Sequence, residues 1–251
     1  MSTPHSLNRG GSNMVFWPLR LHINLFALHP GKPERQQEVN RMNTNESNSL
    51  KKTKVLVGMA IFTALVVVLQ LLAGSIKIGP FSPSLVLVPI VIGAAVYGCG
   101  AGAWLGFVFG AVVLIACITG QDVGGYLMWG INPFMTAVIC IGKGVAAGFA
   151  AGWIYRLLGR KNQIVGTVAA AIVCPVVNTG LFCLGATVAF KPLLMEWATA
   201  WWSSQPQMSG DVNLILYLIL GMIGLNFLLE MMINVLLSPA VVRILKIRKN
   251  A

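Results

Sequence analysis

Six apolar runs, separated by short polar or glycine- and proline-rich stretches, set the rhythm of the chain; they fall at about 54–72, 84–97, 98–118, 133–158, 164–189 and 212–247. A helix needs roughly 20 predominantly apolar residues to cross the hydrocarbon of a bilayer. The pattern therefore predicts an all-α integral membrane protein with six transmembrane helices. The second run is short and holds Pro89, so a tilted, kinked or partly irregular span is expected there. Residues 73–83 and 119–132 read as loops from their glycine, proline and polar content. Between the last two runs Trp197 and Trp201 stand four apart, as in a short amphipathic helix lying at the membrane interface.

Small residues form stripes inside the runs. Gly98, Gly102, Gly106 and Gly110 recur every four residues in the third run, as do Gly144, Gly148 and Gly152 in the fourth. Such stripes let neighbouring helices approach closely, which predicts a tightly packed bundle. Ala60 and Ala64 make a shorter small-residue face on the first run.

The polar positions within the runs are the candidates for function. Asn226, Glu230 and Asn234 stand four apart, so they share one face of the sixth helix. A carboxylate at bilayer depth faces a bundle interior or a wet cavity and is a functional-site hypothesis by default. Asn178 follows Pro175 by three residues, so a polar side chain and a helix irregularity are expected together, with freed backbone groups lining a cavity. Lys143 lies roughly 15–20 Å into the fourth helix at 1.5 Å per residue, and either pairs with Glu230 or contacts a ligand. Asn226 contacts a ligand or hydrogen-bonds a neighbouring helix, and Asn234 reads as structural. Gln70, Gln121, Trp129 and Asn132 gather at the outer ends of their spans, where an external solute would enter; for Trp129 interfacial anchoring is the competing explanation.

Composition narrows the classes. Of 251 residues 56% are hydrophobic and 10% charged, against about 25% charged in a soluble domain. The positive residues behind the net charge of +11 cluster outside the runs or at their ends, Lys143 excepted. Lys51, Lys52, Lys54, Arg156, Arg160, Lys161, Arg243, Lys246, Arg248 and Lys249 fall on one side, and Lys77 and Lys191 on the other. The positive-inside rule makes both termini cytoplasmic and accounts for the charge without nucleic acid. Cys99, Cys117, Cys140, Cys174 and Cys183 occur singly, without metal-ligand spacing, and read as small core residues. The histidines, His5, His22 and His29, all precede the first run, and there is no P-loop, so neither a membrane-embedded base or zinc site nor nucleotide hydrolysis is indicated, and no cofactor is expected. Residues 1–41 lack helical periodicity, whereas Met42 opens a polar cytoplasmic lead, 42–53, before the membrane domain at 54–248; translation is expected to start at Met42.

Over nearly all of residues 52–248 the chain resembles the S components, the substrate-binding membrane subunits of energy-coupling factor (ECF) vitamin transporters. The resemblance is carried, in order, by residues 54–64 with Ala60 and Ala64, by Leu85-Val-Leu-Val-Pro-Ile-Val-Ile-Gly-Ala-Ala-Val-Tyr-Gly98, by Gly142-Lys-Gly-Val-Ala-Ala-Gly148, by Pro175-Val-Val-Asn-Thr-Gly180, and by Asn226-Phe-Leu-Leu-Glu230 through Ser238-Pro239. It implies a six-helix bundle in the bacterial plasma membrane that captures a water-soluble vitamin from outside and works with a transmembrane coupling subunit and two ATPases. It further implies that Ala60 and Ala64 dock on the coupling subunit, that residues 73–83 cover the ligand, and that the subunit topples when ATP is used.

Substrate-binding candidates are then Asn178, Asn226, Glu230, Lys143, Gln70, Gln121, Trp129 and Asn132. Pantothenate and riboflavin are the favoured ligands: Lys143 suits an anion such as pantothenate if Glu230 does not neutralise it, and tryptophans around the outer loops suit stacking on a flavin. The alternative is a self-sufficient carrier or channel, which would more naturally show an inverted repeat. A membrane enzyme would need a nucleophile or metal cluster that the sequence lacks.

Overall fold

A computed structural model of the protein describes residues 32–73, 86–208 and 210–250, with the side chains of 32–34, 45, 47, 223, 225, 226 and 244–250 left out. Every regular element among the described residues is helical: α1 (Lys32–Ala73), α2 (Leu87–Tyr97), α3 (Cys99–Ile118), α4 (Val123–Ile131), α5 (Pro133–Leu158), α6 (Gln163–Ala189), α7 (Lys191–Ser203), α8 (Leu214–Leu216), a π-helical segment (Tyr217–Ile223) and α9 (Gly224–Asn250). The chain divides into two units between Leu50 and Lys51.

Each of the six apolar runs contains helix. Among the described residues four helices are long and apolar enough to cross a membrane: Arg35–Ala73 within α1, α3, α5 and α6. Leu214–Met222 with Phe227–Arg243 makes a fifth candidate, bent by 49°. The second run yields only the 11-residue α2, about 16 Å long at 1.5 Å per residue and too short to span alone. It packs on α3, α5, α6 and α9, burying Leu87, Pro89, Ile90, Val91, Gly93 and Ala94. The expected kink at Pro89 has no cause, because Pro89 lies in the first turn, where backbone N–H groups lack helical partners anyway.

The two glycine stripes meet each other. A methyl group built on Gly102 would strike the carbonyl oxygen of Gly148, and one on Gly106 that of Gly144; Gly110 faces the backbone of Cys140, and Gly152 that of Cys99. Antiparallel α3 and α5 thus touch backbone to backbone over the length of the contact. Leu105 and Phe109, both fully buried, fill the adjacent space. Gly98 stands outside this zipper: it has φ 96°, joins α2 to α3, and has open space where a side chain would go, so its role is the left-handed turn that glycine adopts without strain.

α1 is attached through side chains rather than backbone contact. Phe62 meets Tyr97 edge to face at 6.2 Å, Trp104 Nε1 donates to Thr63 Oγ1 at 3.3 Å, and Val66 is fully buried in the principal core with Val86, Leu87 and Ile90.

Three expectations are corrected. Residues 119–132 are not simply a loop, since most of them form α4; Asp122 caps it by accepting from Gly125 N at 2.8 Å. Gly124 and Gly125 dilute the helical signal because glycine is a poor helix former. α6 runs through Pro175 as one helix, and the irregularity lies instead in the π-helical segment 217–223 and the bend of the last span. The helix expected around Trp197 and Trp201 is α7, but both indoles pack partly buried on a second core with Phe190, Leu194 and Tyr217, so packing accounts for them as much as interfacial anchoring would.

Candidate ligand-binding site

Where α3 ends and α5 begins, with α4 between them and the second half of α6 alongside, the helices border a small, partly open cavity of about 20 Å³. Thr136, Ile139, Cys140 and Lys143 line it from one face of α5, spaced by three or four residues as adjacent turns require. Val113 and Cys117 come from α3, Gly125 and Met128 from α4, Phe182 from α6, and Asp122 from the α4 cap. The wall is mainly apolar, with a few converging polar groups, as in small-molecule sites generally. Lys143 Nζ lies 4.7 Å from the centroid of the Phe182 ring, a cation–π geometry that holds the ammonium in place. Thr136 Oγ1 donates to the Asn132 carbonyl at 2.9 Å. The Cys117 and Cys140 sulfurs are 4.0 Å apart.

A second small, partly open cavity of about 20 Å³ adjoins the first, lined by Gln70 and Leu71 of α1, Val112, Val113 and Ala116 of α3, and Gln121 and Asp122. Val113 and Asp122 belong to both walls. Gln70 is only 7% exposed, and its Oε1 has no hydrogen-bond partner. A buried acceptor left so costs about 1–3 kcal/mol, and Asn178 Oδ1 and Asn234 Oδ1 are in the same state.

The sequence candidates divide between two places. Lys143, Gln70 and Gln121 come together at these cavities. Asn178, Glu230 and Asn234 line neither; they are buried on α6 and α9, which pack against each other. Asn234 Nδ2 donates to the Glu230 carbonyl at 2.7 Å, and Ser238 Oγ to the Asn234 carbonyl at 2.9 Å, local bonds that tie α9 to itself. Asn178 Oδ1 is buried without a hydrogen-bond partner. Asn226 is in α9, but its side chain lies outside the described residues, as does the expected ligand cover except for Ala73. Asn132 caps α5 by accepting from Met135 N at 3.1 Å. Trp129 is half-buried on α4 and lines neither cavity.

The family model for the substrate-specific component of ECF transporters matches residues 54–242. The chain belongs to this family. The S component is 27% identical over 208 residues to the pantothenic acid transporter PanT of Lactococcus lactis subsp. cremoris, an alignment covering 77% of this chain and 94% of that relative. No solved structure gives a significant match. The protein is thus a membrane transport component for a vitamin-type substrate and not an enzyme. On this S component Ala60 and Ala64 lie on the exposed face of α1, with Leu56, Ile61, Val68 and Leu72.

Sequence reasoning passed over Asp122, Thr136 and Phe182 as site residues. The capping pattern Asp122-Val-Gly-Gly125 was the available signal for the first; nothing in the sequence distinguishes Phe182 from other apolar residues of its run.

Proposed function

We propose that this S component binds pantothenate from outside the bacterial plasma membrane and delivers it inward, driven by an ECF coupling subunit and two ATPases. Lys143, an ammonium held against an aromatic ring in a largely apolar cavity, carries this reading. Such a group suits a carboxylate, because charge-assisted hydrogen bonds gain strength away from water. Riboflavin is less well served. Its uncharged isoalloxazine calls for stacking partners, yet among the described residues Phe182 is the one aromatic side chain lining the two cavities. The pantothenic acid transporter among the relatives supports the same choice.

The orientation follows from charge. Arg156, Arg160 and Lys161 are exposed at the end of α5 opposite the cavities. With that basic end cytoplasmic, the cavities open outward. Ala60 and Ala64 then offer the coupling subunit a shallow, apolar docking face.

Titration of the purified full chain with pantothenate, riboflavin, folate, thiamin and biotin, followed by calorimetry, tests the ligand. Saturable binding of pantothenate alone is expected, and preference for another vitamin overturns the assignment. Co-purification with a coupling subunit and ATPases tests the assembly; pantothenate flux into liposomes holding this chain alone would instead establish a self-sufficient carrier.

A further inference from the structure

We propose that the cavity lined by Gln70 and Asp122 is a second chamber of the same ligand site, and that it reads the hydroxylated end of the ligand. The proposal rests on the pantothenate reading above. Its starting point is an unused acceptor: Gln70 Oε1 is buried, lines the chamber and has no hydrogen-bond partner. An unmet carbonyl oxygen is satisfied only by a donor. The neighbouring carboxylate belongs to Asp122, whose Oδ1 is fixed by Gly125 N at the start of α4; an ionised carboxylate also only accepts. The Gln121 amide on the same wall can donate as well as accept, so an end bearing O–H groups, which do both, fits this chamber better than an anionic end beside Asp122.

The first cavity differs in holding the Lys143 ammonium, a charged donor, beside the Asp122 that it shares with the second. Val113 and Asp122 border both spaces, and a ligand that parts these side chains to lie across the two would meet a cation at one end and acceptors at the other. Pantothenate has this polarity: a carboxylate at one end, and two hydroxyls flanking a dimethyl-substituted carbon at the other. Leu71, Val112 and Ala116 supply an apolar wall for the methyl groups beside Gln70. Gln70 and Asp122 are therefore specificity-determining residues, and Lys143 provides the common anchor for the carboxylate.

The test compares pantothenate with its dideoxy analogue, in which both hydroxyls are replaced by hydrogen and the carboxylate, amide and methyl groups remain. Binding of each to the purified full chain is measured by calorimetry. The wild type is expected to prefer pantothenate by about tenfold or more, since each lost hydrogen bond leaves a buried acceptor unmet. Gln70→Leu should weaken pantothenate by about 10- to 100-fold while changing the analogue by less than about threefold, which erases the preference. Retained analogue binding also shows that the variant is folded. Should Gln70→Leu not fold, Asp122→Asn, which preserves an α4 cap, is expected to reduce the preference in the same direction. A wild type that binds both compounds equally, or variants that weaken both compounds alike, would overturn the second chamber while leaving the pantothenate reading intact. A wild type that binds neither compound overturns both.

Discussion

Lys143 shows how much one side chain can decide in an apolar setting. It is flanked in sequence by Gly142 and Gly144, which point elsewhere, and its ammonium rests against Phe182. Lys143→Met keeps length and apolar stem but removes the charge, so pantothenate affinity should fall by about tenfold or more, in line with the roughly 1.5–3 kcal/mol of a hydrogen bond to a charged group. The thermal midpoint should barely move; a large drop in both quantities would make Lys143 a structural residue instead. Lys143 and Gln70 were legible in the sequence because a polar group inside an apolar run stands out. Asp122 was not, because a carboxylate between two runs is ordinary. Asn178 and Glu230 were equally conspicuous, and the sequence was right that they are buried, but it did not reveal that they line neither cavity.

At the level of elements, the contact between α3 and α5 frames the site, since Val113 and Cys117 on one helix face Cys140 and Lys143 on the other. Gly106 and Gly144 keep that contact close. Gly106→Leu or Gly144→Leu would force backbone apart, and overpacking of this kind costs typically about 1–3 kcal/mol or more. Thermal unfolding monitored by size-exclusion chromatography should show lower midpoints for both. Gly142→Ala is the control: it lies in α5 with open space around it, and alanine is the better helix former, so the midpoint should hold or rise. Equal losses at Gly142 and Gly144 would refute the zipper. Four-residue spacing made both stripes visible in the sequence. Their register was not visible, and Gly98, in step with the stripe, serves a turn.

For the whole molecule, α1 joins two tasks on opposite faces. Val66 and Gln70 turn inward, while Ala60 and Ala64 lie outward among exposed apolar residues. Replacing both alanines with leucine should abolish co-purification with the coupling subunit and ATPases and leave pantothenate binding within about threefold, since the substituted face is remote from the Gln70 face by helical geometry. Normal assembly of the double variant would remove the docking assignment. The sequence by itself determined that this is a helical membrane protein, where most of its helices run, and which small and polar residues interrupt them, because run length and four-residue spacing are local properties of the chain. Only the tertiary structure decided that Gln70 of α1, Asp122 of the α4 cap, Lys143 of α5 and Phe182 of α6 surround adjoining spaces, because that depends on which helices touch, at what register and at what distance.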